Sequence, residues 1–251
     1  VSFTDAAAYD AFMGRYSGPL AQAFADLAGI ESGQLALDVG CGTGMLTGEL
    51  VRRSGADSVT AVDPSAPFVA SVKERFPGVD VRQAPAEHLP FDEARFDAAL
   101  AQLVVHFMTD AAGGLDEMRR VTKPGGVVAA CVWDHAGEQG PLAAFWRGAR
   151  EVDPDAPDES SLAGARQGHL AQLLGSAGLN DIVDRTLVIE VEHPTFEEWW
   201  DPFTRGVGPA GAFVESHSAD ERRRLREICR RELGDGPFIV RAAAWAARGV
   251  V

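Results

Sequence analysis

Apolar and polar positions follow two alternating rhythms over the first half of the chain. Gln34–Val39, Ser58–Asp63, Val79–Ala84, the FDAALAQLVV run from Phe96 to Val105, and Gly125–Trp133 are short runs built around apolar residues. Such runs read as strands buried on both faces of a parallel sheet. Leu20–Ala28, Gly44–Ser54, APFVASVKERF from Ala66 to Phe76, and Asp110–Val121 repeat apolar residues at helical spacing. The order is βα alternation with short connections, which predicts an open, doubly wound α/β sandwich. After Trp133 the rhythm changes. Residues 134–180 predict irregular helical structure interrupted by the turn-rich DPDAPDES. Arg185–Glu192 predicts a strand, TFEEWWDPF opens a broken helical stretch reaching Arg231, and Phe238–Gly249 predicts a last strand.

The 251 residues are 46% hydrophobic and 24% charged, enough for one sizeable core. A formal net charge of -14 disfavours nonspecific nucleic-acid binding and attraction to anionic membranes. Cys41, Cys131 and Cys229 are far apart, so neither a disulfide framework nor a zinc cluster is indicated, and a reducing, cytoplasmic setting is expected. The first residues lack the basic flank and apolar core of a signal peptide, and no stretch reaches the length of a membrane span. His88, His106 and His135 are scattered, so no metal site is expected.

The stretch LDVGCGTGMLT, Leu37 to Thr47, asks why a backbone needs so little side chain at Gly40, Gly42 and Gly44. The turn follows a predicted strand and opens a predicted helix, where backbone amides and the helix dipole favour anionic groups. Asp63 ends the next strand about 20 residues on, where an acidic residue can bind both hydroxyls of a ribose. NAD is one candidate, but its G-x-G-x-x-G fingerprint would need a glycine where Met45 stands. Asp38, just before the turn, suits a cationic ligand group better than a pyrophosphate.

Four segments together resemble the class I S-adenosylmethionine-dependent methyltransferases, of the small-molecule kind called the methyltransferase type 11 domain. They are LDVGCGTG at 37–44, VTAVDPS at 59–65, PAEHLPF at 85–91, and the pair FDAAL at 96–100 and VTKPGG at 121–126. The resemblance covers roughly residues 30–135. It implies a Rossmann-like, mostly parallel sheet of seven strands whose last strand is antiparallel, with helical cap insertions. Within a single overall domain, residues 1–30 would form an N-terminal helical cover, 31–135 the cofactor-binding core, and 136–251 the rest of the sheet with the substrate-cap helices. The implied cofactor is S-adenosylmethionine, with S-adenosylhomocysteine as product. Asp38 and the amides around Gly40, Gly42 and Gly44, Cys41 among them, would face its methionine part. Asp63 would take the ribose hydroxyls, with Pro64 and Ser65 beside the adenine and Ala86 offering its amide to that ring. Many relatives carry an aspartate before that alanine. Here Pro85 stands there, which leaves Glu87 as a nearby substitute. The start, with Tyr9, Phe12, Met13, Arg15 and Tyr16, would fold over the cofactor, Arg15 pairing with the methionine carboxylate and Tyr16 packing over the same end.

Gln102 and Leu103 fall where the fourth strand ends and would border the transferred methyl. His106, Asp134 and His135 are the candidate general bases, His106 on account of its ordinary pKa near neutrality. In-line displacement at a sulfonium carbon chiefly needs alignment and exclusion of water, so a base is required only if the acceptor must lose a proton early. Phe145, Trp146, Phe196, Trp199, Trp200 and Phe203 read either as core packing of the cap or as an aromatic wall for a flat acceptor. TRGVGPAGAF after them reads as a hinge, and ERRRLREICRRE as a solvated amphipathic helix with Leu225, Ile228 and Cys229 buried. The expected activity is methyl transfer to an O, N or C nucleophile of a small molecule, by a monomer or a homodimer. The alternatives are a protein or nucleic-acid methyltransferase, although no N-P-P-Y motif follows the fourth strand, a catalytically inactive cofactor-binding scaffold, and, more distantly, a dehydrogenase.

Overall fold

Seven strands form one sheet: β1 (Ala36–Val39), β2 (Val59–Asp63), β3 (Asp80–Gln83), β4 (Phe96–Gln102), β5 (Thr122–Trp133), β6 (Asn180–His193) and β7 (Phe238–Val250). Their order is β3–β2–β1–β4–β5–β7–β6, with β7 antiparallel to both neighbours and the first five strands parallel. The structure is a computed structural model and describes residues 10–206 and 208–251, so the expectation for Tyr9 and part of the expected hinge, at Val207, lie outside it.

The two-residue period of β1 assigns its side chains to opposite faces. Ala36 joins the core under α1 (Arg15–Ala28), α2 (Met45–Ser54) and α3 (Ala66–Arg75), whereas Leu37 and Val39 join the core under α4 (Ala111–Val121). On the first face lie also α5 (Ala143–Val152), α7 (Phe196–Trp200), α8 (Gly208–Ser216) and α9 (Ala219–Leu233), and on the second α6 (His169–Ser176). Local chemistry sets the helix limits. Asp110 caps α4 by accepting from the Gly113 N–H at 3.0 Å, and Ser218 with Glu221 forms a capping box on α9. In α9, Leu225, Ile228 and Cys229 are buried and the charged positions face outward.

β4 ends at Gln102, where the fourth strand is expected to end, because Leu103 takes a left-handed φ of 61° and Val105–Phe107 curls into a 3-10 turn. Two strand starts differ from the pattern by more than two residues. β5 starts at Thr122, paired with Phe96 across an irregularity, so TKPG belongs to the strand rather than to a turn before it. β6 starts at Asn180, five residues before the expected Arg185, and pairs with β7 over its length. Most of the aromatic cluster is core rather than an open wall, whereas Trp146 borders a cavity. Phe196, Trp199, Trp200 and Phe203 are buried, and Phe203 stacks on Phe145 with centroids 4.4 Å apart.

At the far end of β6 an imidazole fastens the first helix to the sheet. Arg15, expected at the ligand, instead reaches Nδ1 of His193 at 3.1 Å, and the Tyr16 hydroxyl meets Nε2 at 2.8 Å. A guanidinium can only donate, so Nδ1 accepts and the Nε2–H donates to Tyr16. His193 is buried and stacks on Phe238. Burial, with the Arg15 charge adding to it, lowers its pKa to about 4. The unfolded chain therefore binds a proton here that the folded chain refuses between about pH 6.5 and 4. The contribution of this residue is intact above that window and is lost as pH falls through it. His193→Gln should flatten the fall in unfolding free energy between pH 7 and 4.5 by up to about 1.4 kcal/mol per pH unit, measured by paired urea titrations.

Candidate functional site

From β1 the chain runs through β2 to β3 on one side, while β4 begins the other half of the sheet on the opposite side. The carboxyl ends of β1 and β4 thus flank a switch point, where doubly wound sheets open a crevice. A cleft of about 610 Å³ lies there, lined by the glycine turn, the ends of β2 and β4, and Ser17 of α1.

The three glycines have different duties. All have positive φ, at 71°, 53° and 88°. A Cβ on Gly40 would lie 2.5 Å from the Val104 side chain, and one on Gly44 2.8 Å from the Phe76 ring. Gly42 has nothing within 4 Å of its would-be Cβ, and it lines the cleft. The outer two allow close packing, and the middle one leaves the mouth open.

The carboxylate of Asp63 accepts from the Gly42 N–H at 2.9 Å and from the Ser65 N–H at 2.8 Å. Burial raises its pKa, and those two bonds work against the rise. Asp38 is buried and accepts from the Thr47 hydroxyl at 2.6 Å. Burial pushes its carboxyl up to about 7, Asp63 adds to this, and the Thr47 bond opposes it. The Cys41 thiol is pushed well up by burial and by both carboxylates, so it stays protonated. No lysine or arginine is among the described lining residues of the cleft, which does not suit a pyrophosphate.

The N-terminal segment reaches the turn through residues that the sequence pattern did not single out. Asp10 accepts from the Thr43 hydroxyl at 3.0 Å and lies 3.6 Å from Arg75, which itself donates to the Thr43 carbonyl. Gln102 donates to the Ser17 carbonyl at 3.0 Å, and its buried Oε1 has no partner. Arg15 and Tyr16 are at His193, and neither lines the cleft. Pro64 and Ser65 do line it, together with Pro67 and Phe68. Ala86 is buried in the core on the α4 side, and Glu87 accepts from the Thr109 and Asp110 N–H groups at 2.8 and 3.2 Å; neither is in the lining.

A second cavity adjoins the first, and Leu103 and Phe107 belong to both. His106, Trp133, His135 and Trp146 line it, with Phe12 and Met13 from the N-terminal segment. Burial holds both imidazoles neutral, pushing His106 down to about 3 and His135 down to about 4. Asp134 also borders it, but its carboxylate is committed to the turn it caps, accepting from the Gly137 N–H at 2.7 Å and from Gln139 Nε2 at 3.1 Å. Both of its oxygens are thus already hydrogen-bonded where it meets the cavity. Glu159, 3.5 Å from His135, comes from the loop that the pattern left irregular, where no periodicity could reveal it. Among the described residues no helix is long and apolar enough to cross a membrane, and no group of three or more His, Cys, Asp or Glu could hold a metal ion.

The family profile described as a methyltransferase domain matches residues 37–130. Demethylmenaquinone methyltransferase of Paenarthrobacter aurescens is 33% identical over 180 residues, 64% of this chain and 68% of that protein. Malonyl-[acyl-carrier protein] O-methyltransferase of Erwinia pyrifoliae is 33% identical over 121 residues, 43% of this chain and 45% of that one. The crystal structure of the YcgJ protein from Bacillus subtilis superposes with a TM-score of 0.58 at 18% identity, covering 92% of this chain and 97% of that one. The chain belongs to the class I S-adenosylmethionine-dependent methyltransferases, of the type 11 domain family. It is accordingly an enzyme, and S-adenosylmethionine is its cofactor.

Two outcomes are expected at this site. Gly42→Ala should retain most of its fold stability, losing about 1 kcal/mol to backbone strain, and should lose S-adenosylhomocysteine binding. Gly40→Ala should lose clearly more stability, because Val104 must move; urea midpoints and ligand titration separate the two. Affinity for S-adenosylmethionine should fall as pH drops below about 7, approaching tenfold per unit as Asp38 protonates, and binding there should release a proton, read as a buffer-dependent enthalpy.

Proposed function

We propose that this enzyme transfers a methyl group from S-adenosylmethionine in the cleft to an O, N or C nucleophile of a small molecule in the second cavity, by in-line displacement. The observation that carries this reading is the shared wall: Leu103 and Phe107 border both cavities, so a donor and an acceptor can meet there without bulk water.

The cleft fits the cofactor by its donor set. Asp38 is an anionic group with no cation beside it, suited to the ammonium of the methionine part. The glycine turn shapes the same end without donating to it, because the amides of Gly40, Cys41, Gly42 and Gly44 are already committed to the Val62 carbonyl, Asp63 and the Cys41 carbonyl. Gln102 has an unsatisfied buried oxygen bordering this space. Asp63, with its oxygens already oriented by Gly42 and Ser65, takes the ribose hydroxyls. Pro64, Ser65, Pro67 and Phe68 hold the adenine by packing, without Ala86 or Glu87. When bound, the sulfonium supplies an electrophilic methyl carbon and a neutral leaving group. The chain's own work is to align, to exclude water, and to keep the nucleophile close to Leu103.

Calorimetric titration with S-adenosylmethionine, S-adenosylhomocysteine and NAD tests the cleft, with Asp63→Asn and Asp63→Ala as variants. The first two ligands should saturate a single site and NAD should not. The variants should bind at least about tenfold more weakly, since each hydrogen bond to a charged group contributes about 1.5–3 kcal/mol. Binding of NAD alone, or affinities untouched in folded variants, would sink the reading.

A further inference from the structure

Four buried nitrogens without a partner belong to residues that line the second cavity: His106 Nδ1, Trp133 Nε1, His135 Nε2 and Trp146 Nε1. A buried polar atom left without a partner costs free energy, so a set of them on the residues that line one cavity points to a ligand that satisfies them. The two indole N–H groups can only donate, and they ask for oxygen acceptors on that ligand. His135 Nδ1 lies 3.5 Å from Glu159 Oε2. A carboxyl group on that side favours the Nδ1–H tautomer and leaves the lone pair on Nε2, which then accepts from an O–H.

The charges around His135 narrow the choice further. Asp134, Glu138, Asp158 and Glu159 border the cavity, against one cationic side chain of its described lining, Arg150, which is already paired with Glu138. His106 is the remaining titratable neighbour, with ring centroids 5.6 Å apart. An anionic acceptor would be repelled. An amine would be held as an ammonium by the same carboxyl groups, without a lone pair for the methyl or for the indoles. Phe12, Phe107, Trp133 and Trp146 supply flat apolar walls.

We propose that the acceptor is a neutral, flat phenol or enol carrying a carbonyl oxygen, and that His135, positioned by Glu159, removes its hydroxyl proton. This rests on the methyl-transfer reading above. In the step, the hydroxyl oxygen forms the bond to the methyl carbon while the carbon–sulfur bond breaks and its electron pair stays on sulfur. The hydroxyl proton passes to Nε2 of His135, where Glu159 steadies the imidazolium. Trp133 and Trp146 donate to the carbonyl oxygen.

The test uses three probes of one skeleton: para-hydroxyacetophenone, para-(aminomethyl)acetophenone, whose amine is an ammonium at neutral pH, and para-acetylbenzoate. S-adenosylhomocysteine binding is measured first and separately, because its failure would refute the methyl-transfer reading rather than this one. In protein loaded with that product, tryptophan fluorescence reports each probe. The phenol should saturate, the benzoate should bind about tenfold or more weakly, and Trp146→Phe should weaken the phenol about fivefold, the loss of one hydrogen bond. In turnover with S-adenosylmethionine, the wild-type kcat should be flat between about pH 6 and 8, because the base is already neutral there. His135→Gln should lower kcat about hundredfold and make it rise with the probe's own ionisation. Glu159→Gln should lower kcat about tenfold with KM and S-adenosylhomocysteine affinity unchanged. Benzoate or amine binding as tight as the phenol, no saturable phenol binding in protein that holds S-adenosylhomocysteine, a bound phenol that is not methylated, or a wild-type pH profile in His135→Gln would each overturn the proposal.

Discussion

The Asp63 carboxylate joins three pieces of chain that would otherwise be independent. Parallel pairing sets Val39 of β1 beside Val62 of β2, and the Val62 carbonyl accepts from both the Gly40 and Cys41 N–H groups. The next amide, Gly42, turns to Asp63, and the other oxygen of the same carboxylate takes the amide that precedes α3. The glycine turn is thus tied to the neighbouring strand as well as to itself, through the Gly44 N–H on the Cys41 carbonyl. Such a linked set of buried bonds resists deformation as a unit. Everything bound in the cleft rests on this floor of backbone, with Asp63 already aimed and already desolvated.

Leu103 is the second fixed point, and it depends on the first. Its left-handed backbone costs on the order of 1 kcal/mol for a residue with a Cβ, so something must hold it. Its N–H donates to the Cys131 carbonyl at 2.8 Å, and its side chain is buried. The turn out of the sheet puts the next residue, Val104, against Gly40, and carries Phe107 along the border of both cavities. The missing side chain at Gly40 and the strained backbone at Leu103 are therefore two halves of one packing arrangement. Neither would serve without the other.

The parts of the molecule written in local pattern were legible. Short apolar runs between helical periods located all seven strands, some with limits displaced by a few residues, and the family resemblance implied the sheet with an antiparallel last strand. The early start of β6 has a tertiary cause, since β7 offers partners as far as Val250. The cleft residues that were legible sit in the motifs themselves, Asp38, the glycines, Asp63, Pro64 and Ser65, since those positions combine a backbone requirement with a chemical one. Arg15, Tyr16, Asp134 and Glu87 carry suitable chemistry, and their contacts here are with His193, Gly137 and Gln139, Thr109 and Asp110. Residue type states what a side chain can do, and long-range packing decides where it does it. Glu159 shows the converse: an ordinary loop residue acquires chemistry only because the fold brings His135 to it.

Burial moves the ionisable groups of the site in opposite directions with one result. It raises the carboxyls of Asp38, Asp63 and Glu159 and lowers the imidazoles of His106 and His135. Each shift favours the uncharged form, and at about 3 and about 4 the two imidazoles are neutral at neutral pH. Displacement at a sulfonium by an ionising hydroxyl destroys charge as it proceeds, since a cation and an incipient anion become two neutral products. Opposite charges attract more strongly in a medium of low polarity than in water. A dry meeting place therefore favours this kind of step more than a wet one would, and in the proposed reaction Asp38 and Asp63 hold the donor over the floor that the glycine turn supplies.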